Sequence, residues 1–302
     1  MCWVLVNIFA VRAIHYINSF ALALHVFGFF IVIGVLAAFT KEKHNADFVF
    51  TALTNNSGWN SDFVAWSISL LPALYAYMSV DTAIHFCEEV AEPRTVIPRV
   101  MILQAITTSL MTFPFIITVV FCLGNVDQIL ASPIALTSPF TQILINSTGK
   151  VGLSCFLNSF STFVAMTAGF DMWGAASRAI WSMARDNALP PRFAKLHPRW
   201  AVSVWANLAM IPPSILVFSI YIWNTTAFYG IMSGVLVAFQ LSYLIPIGIN
   251  VFYATWSTPL TKGPFQLGRL SWAVHATGFV FGCFAALFMS FPASQPVTTI
   301  SM

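Results

Sequence analysis

The stretch Phe20–Phe39, FALALHVFGFFIVIGVLAAF, contains no Asp, Glu, Lys or Arg. About 20 apolar residues in helical form cover about 30 Å, the thickness of a bilayer's hydrocarbon core. Further apolar stretches follow at Phe63–Cys87, Val100–Leu123, Gly152–Ala176, Ala201–Trp223, Phe228–Tyr253 and Trp272–Phe291. Within lipid each backbone polar group must be satisfied inside its own segment, so these read as helices. The short alternating segments of a membrane β-barrel are not seen. Composition agrees: 58% of the 302 residues are hydrophobic and 8% charged, against about 25% charged in an ordinary soluble domain. The expectation is an all-α polytopic membrane helix bundle of about seven transmembrane helices, forming one integral membrane domain over residues 1–302. Cys2–Val11 is apolar but too short to span. It reads as an interfacial piece or as the remnant of a preceding span.

The formal net charge of +3 matters less than its distribution. When the gaps between spans are assigned alternately to two sides, one side carries Arg12, Arg94, Arg99, Arg178, Arg185, Arg192, Lys195, Arg199, Lys262 and Arg269. The other carries Lys41, Lys43 and Lys150. Short loops rich in Lys and Arg stay cytoplasmic, so the amino end is predicted inside. The sequons beginning at Asn55, Asn146 and Asn224 then fall outside, as glycosylation candidates. No basic run suggests nucleic acid. The cysteines Cys2, Cys87, Cys122, Cys155 and Cys283 are scattered and form no C-x-x-C pair, so no metal or cofactor is expected.

Function in such a chain should reside in the polar groups kept within the membrane. Asp81 lies deep in the second span, and an acid there costs at least about 2.5–3.5 kcal/mol unless it faces a cavity or partner. Helical spacing puts His85 one turn on and Glu88 and Glu89 two turns on, a row suited to passing protons toward the mouth of a pathway. The alternative is that Asp81 anchors a buried hydrogen bond and the two Glu pair with Arg94 or Arg99. Asp171 is the second intramembrane acid, with Arg178 two turns later, and reads as a coupling group or a structural partner. Tyr75 and Tyr77 offer hydroxyls to a ligand, although aromatics at such spacing also serve packing. Hydrolase, P-loop and metalloprotease signatures are missing, so no enzyme is expected.

Several stretches carry a resemblance. Asp81-Thr82-Ala83-Ile84-His85-Phe86-Cys87-Glu88-Glu89-Val90-Ala91-Glu92-Pro93 resembles the end of the sixth span of fungal amino acid and choline permeases. Ser177-Arg178-Ala179-Ile180-Trp181-Ser182-Met183-Ala184-Arg185-Asp186-Asn187-Ala188-Leu189-Pro190 resembles the signature that follows their eighth. Ser242–Asn250 looks like their tenth span, and Phe291-Pro292 with Pro296-Val297-Thr298 like the segment before their twelfth. The whole resembles the GABA/choline-type branch of the amino acid–polyamine–organocation superfamily. The resemblance implies a twelve-span inverted-repeat permease, of which this chain corresponds to the fifth to eleventh spans and looks truncated at both ends. It also implies a broken sixth helix at Tyr75–Asp81, with Tyr75, Tyr77, Ser79 and Asp81 at the substrate and Asp81, His85 and Asp171 coupling protons. Ala76, Met78 and Ser79 stand where the family usually has glycines.

The implied activity is proton-coupled secondary active transport of amino acids or related small amines by alternating access, in the plasma or vacuolar membrane. The partners are then a small-molecule substrate, protons and the lipid bilayer, with a homo- or hetero-oligomer left open. The rival expectation is a non-transporting permease fragment or membrane partner subunit.

Overall fold

The computed structural model describes residues 2–78, 80–135, 138–253, 263–292 and 295. In chain order the helices are α1 (Cys2–Phe9), α2 (Val11–Phe39), α3 (Ala46–Phe50), α4 (Asp62–Ser69), α5 (Leu71–Ala76), α6 (Thr82–His85), α7 (Pro93–Phe121), α8 (Val126–Leu130), α9 (Pro139–Thr148), α10 (Val151–Arg185), α11 (Val204–Ala209), α12 (Ile211–Trp223), α13 (Thr225–Gly248) and α14 (Ser271–Met289). Among the described residues there is no strand. Six helical runs there are long and apolar enough to cross a membrane: Val11–Phe39, Pro93–Phe121, Val151–Arg185, Val204–Trp223, Gly230–Phe252 and Ser271–Met289. Large apolar side chains lie open along them, with Phe30, Leu110, Phe113 and Ile222 all more than 60% exposed. Such a surface belongs in lipid, and the protein is an integral multi-pass membrane protein.

The expected second span is not one helix. Asp62–Ala76 is the shorter apolar run, and the helix ends at Ala76. Thr82–His85 forms one separate turn, and Cys87–Glu89 is a 3-10 turn. The continuous helix needed to line up Asp81, His85, Glu88 and Glu89 is therefore interrupted. Other boundaries move outward. α7 starts at Pro93, not Val100, because proline at the first helical position loses no hydrogen bond. The helix over Ala201–Trp223 is divided at Met210, just before Pro212-Pro213.

The chain divides into two compact units. The first comprises Met1–Ala52, Ile84–Phe86 and Leu103–Met210. Its apolar core gathers Val32 and Leu36 from α2, Ile129 from α8, Ile143 and Leu144 from α9 and Leu157 from α10. Helices α8 and α9 lie in a stretch read as a loop from sequence. Their caps are nonetheless local: the Asn125 side chain accepts from the Gln128 amide at 3.2 Å, and Gly149, at φ 65°, closes α9 with its amide on the Ile145 carbonyl at 2.8 Å.

α1 packs against α10. Asn7, 3% exposed, donates to the Phe170 carbonyl at 2.9 Å, and the Trp3 indole donates to the Met166 carbonyl at 3.2 Å. Small residues let the backbones approach. A Cβ at Gly169 would fall 2.5 Å from Cε2 of Trp3, and one at Gly174 would fall 2.9 Å from Oδ1 of Asn7.

The second unit comprises Leu53–Ala83, Cys87–Ile102 and Ile211–Met302. α13 and α14 pack through glycine too: a Cβ at Gly282 would meet Cδ2 of Leu244 at 2.7 Å, and one at Gly248 would meet Cε2 of Phe279 at 2.9 Å. α4 joins α14 through aromatic rings, with Phe63 5.8 Å from Phe288, and Trp59 just before α4 stacks 5.4 Å from Phe291 just after α14. After Pro246 the end of α13 widens into a π-turn at Ile249–Tyr253. There Asn250 and the Nε2 of His275 on α14 lie 3.2 Å apart.

Candidate functional site

The break in the expected second span is built from short-range hydrogen bonds. The amide of Tyr77 donates to the Leu74 carbonyl, that of Met78 to Tyr75 and that of Val80 to Tyr77, each at 3.2–3.3 Å and three residues back. This tighter pattern draws the chain out of α-helical register. It leaves Asp81 in a turn just ahead of Thr82–His85, freed from helical spacing. No glycine lies at the break, as the sequence already indicated.

The carboxylate of Asp81 meets α13. The Tyr243 hydroxyl donates to its Oδ2 at 2.5 Å, in a charge-assisted geometry. Tyr243 is in turn held edge-on by Phe239, one turn earlier on α13, with ring centroids 5.0 Å apart. A cavity of about 350 Å³ in the same unit is lined by Leu74, Tyr77 and Met78 on one side and Leu236, Phe239 and Gln240 on the other, with Phe281 of α14. It is apolar with a few polar groups, as small-molecule sites usually are.

Of the expected substrate residues, Tyr77 lines this cavity and is 40% exposed. Tyr75, on α5, is 43% exposed and lies outside the lining. Asp81 engages Tyr243, and Ser79 lies outside the described residues. Tyr243 was not singled out from sequence. Its signal was present in Ser242-Tyr243-Leu244-Ile245-Pro246, a polar interruption of an apolar run beside a proline.

Asp171 belongs to the other unit and has its own partner. The side-chain amide of Asn18 on α2 donates to both carboxylate oxygens, at 2.8 and 3.0 Å. Arg178 folds back along α10, donating to the Gly174 carbonyl at 3.1 Å, and lies 4.2 Å over the Phe86 ring. Asn18 is the residue missed here. As one Asn among apolar and aromatic residues it gave no pattern.

The sequon asparagines have structural duties. Asn55 donates its amide to the Trp59 carbonyl at 2.9 Å and to Asp62 at 3.0 Å. Asn146 lies within α9 and accepts from Gln142 at 2.7 Å, and Asn224 caps α13 by accepting from the Ala227 amide at 3.0 Å. Among the described residues no group of three or more His, Cys, Asp or Glu side chains converges as a metal site would require.

Comparison with known proteins agrees with this architecture. A protein of Macrophomina phaseolina assigned as an amino acid/polyamine transporter is 29% identical, over 98% of this chain and 66% of its own length. The choline transporter of Saccharomyces cerevisiae is 28% identical over 100% of this chain and 54% of its own. The GABA-specific permease of the same yeast is 26% identical over 88% and 48%. The chain thus spans about half to two thirds of the length of these relatives. No solved structure matches it. The amino acid permease family matches residues 1–302, the whole chain, and the chain belongs to that family, one of permeases and not of enzymes.

Proposed function

We propose that the chain moves a small amine-bearing solute, an amino acid or a related amine, across a membrane by alternating access, with protons as the coupling ion. The observation that carries this reading is the interrupted helix at Tyr77–Asp81, whose one carboxylate is held by Tyr243 in the unit that contains the Tyr77-lined cavity. Transporter sites are commonly built where a membrane helix is broken. A carboxylate can exchange a hydroxyl donor for an ammonium group or a proton. Either one arriving at Asp81 competes with the Tyr243 bond, and that competition couples occupancy to the position of α13. The aromatic faces of Tyr77 and Phe239 suit an organic cation.

Asp171, with Asn18 across from it, is the second proposed coupling group, and His85 at the end of α6 the third. The names of the relatives support an amine-type solute: a choline transporter and a GABA-specific permease are both among them. The charge distribution supports a cytoplasmic amino end, and the membrane proposed is the plasma or a vacuolar one.

The test is uptake of labelled GABA, choline, and neutral and basic amino acids by permease-deficient cells, with surface insertion confirmed. Saturable uptake that rises as external pH falls and is lost in Asp81→Asn supports the reading. Correct insertion with no uptake of any compound defeats it, and favours a non-transporting membrane partner instead.

A further inference from the structure

The segment between α10 and α11, residues 186–203, connects two membrane-length runs and therefore lies at a membrane surface. It carries Arg192, Lys195 and Arg199, with Arg185 just before it and Asp186 as its one acid. Positive charge alone fixes topology and needs no particular structure. This segment nevertheless has one.

The Trp181 indole donates to the Ala194 carbonyl at 3.0 Å, and the Ser203 hydroxyl to the Phe193 carbonyl at 2.6 Å. The His197 amide donates to the Val202 carbonyl and the Ala201 amide to the His197 carbonyl, both at 2.9 Å. The His197 ring stacks on Trp200 at 4.0 Å, and Trp200 meets Phe9 of α1 edge-on at 4.7 Å. The backbone is pinned at both ends, while Arg192, Lys195 and Arg199 are exposed. Leu196, next to Lys195 in the chain, and Met183, in the last turn of α10, are 46% and 50% exposed.

From this arrangement we infer that the α10–α11 segment is a binding surface for the phosphate-bearing headgroups of anionic glycerophospholipids in the leaflet it faces. Arginine forks match phosphate oxygens, and a frame already ordered loses little freedom on binding. The tryptophans suit the headgroup level, and Leu196 and Met183 suit the acyl boundary beneath it. A soluble anion would use the cations but has no use for the apolar flank.

The test uses the full chain purified in phosphatidylcholine nanodiscs, with phosphatidylserine added and its retention read by native mass spectrometry. Each basic residue near an anionic surface is worth about five-fold in affinity, so Arg192→Gln with Lys195→Gln and Arg199→Gln should weaken phosphatidylserine retention roughly a hundred-fold. Arg192→Lys with Arg199→Lys should keep most of it, and added salt should weaken the native chain. Undiminished retention by the triple variant overturns the inference. So does full competition by glycerophosphoserine, the headgroup without its chains, which would name a soluble anion as the ligand. If the triple variant fails to fold in phosphatidylcholine alone, the three single variants decide, each with its own five-fold loss or none.

Discussion

Tyr243 and Asp81, 162 residues apart in the chain, share a 2.5 Å hydrogen bond that ties the interrupted helix to α13. Hydrogen bonds to a charged group contribute about 1.5–3 kcal/mol. Tyr243→Phe removes the donor and keeps the ring that packs on Phe239. It is expected to insert normally and to lower kcat/KM for uptake by about ten-fold or more. Asp81→Asn is expected to insert normally and lose uptake. In a double-mutant cycle of Tyr243→Phe with Asp81→Ala, read as the thermal unfolding midpoint in detergent, the second substitution should add little to the first, since either one breaks the same hydrogen bond. Full additivity of the midpoint shifts would show that the two side chains act separately.

The docking of α1 on α10 depends on Gly169, where a methyl group would fall 2.5 Å from the Trp3 indole. Gly169→Ala must displace that ring and its bond to the Met166 carbonyl. Overpacking of this kind costs about 1–3 kcal/mol, read as a lower thermal unfolding midpoint in detergent. Trp3→Ala opens the space, so the pair Trp3→Ala with Gly169→Ala should be no less stable than Trp3→Ala alone. Equal losses from Gly169→Ala in both backgrounds would place the cost within α10 instead.

The membrane helices were legible because lipid imposes one length and one polarity on them. Val11–Phe39 contains the apolar stretch Phe20–Phe39, and Ser271–Met289 covers all but the last two residues of Trp272–Phe291. The interruption at Tyr77 is hidden in composition, because Leu74-Tyr75-Ala76-Tyr77-Met78 is as apolar as any helix here and holds no glycine. Only the resemblance pointed to a break. α8 and α9 escaped because their run is short and mixed, although Asn125 and Gly149 are ordinary capping residues. Asn18 and Tyr243 escaped for a different reason. Each meets its acid across more than 150 residues of sequence, and a single chain carries no signal of which distant polar groups will pair.

The Asn18 side-chain amide donates to both carboxylate oxygens of Asp171. Asn18→Ala leaves a membrane acid short of its donor, at a cost of about 1–3 kcal/mol. Asn18→Leu with Asp171→Leu removes both polar groups and should recover most of that stability, since an apolar pair needs no donor. The same double variant should lose the pH dependence of uptake if Asp171 couples protons. Thermal unfolding and a pH profile of uptake together separate an anchoring role from a coupling one. Restored stability with an unchanged pH profile assigns Asp171 to structure.

Ala201 stands at φ 54°, in the left-handed region, in the turn that pins the α10–α11 segment. A side chain there costs about 1–2 kcal/mol that glycine avoids. The turn persists because the Ala201 amide bonds the His197 carbonyl and the His197 amide bonds that of Val202, both at 2.9 Å. Glycine relieves the strain but gives the unfolded chain more freedom, which returns part of the gain. Ala201→Gly is therefore expected to raise stability by about 0.5–1 kcal/mol, seen as a higher unfolding midpoint. Ala201→Val, whose branched side chain tolerates this region poorly, should lower it and loosen the segment. Hydrogen exchange at the His197 and Ala201 amides reads that loosening directly. Slower exchange in Ala201→Gly and faster exchange in Ala201→Val are expected, and no change in either would mean that the turn stores no strain.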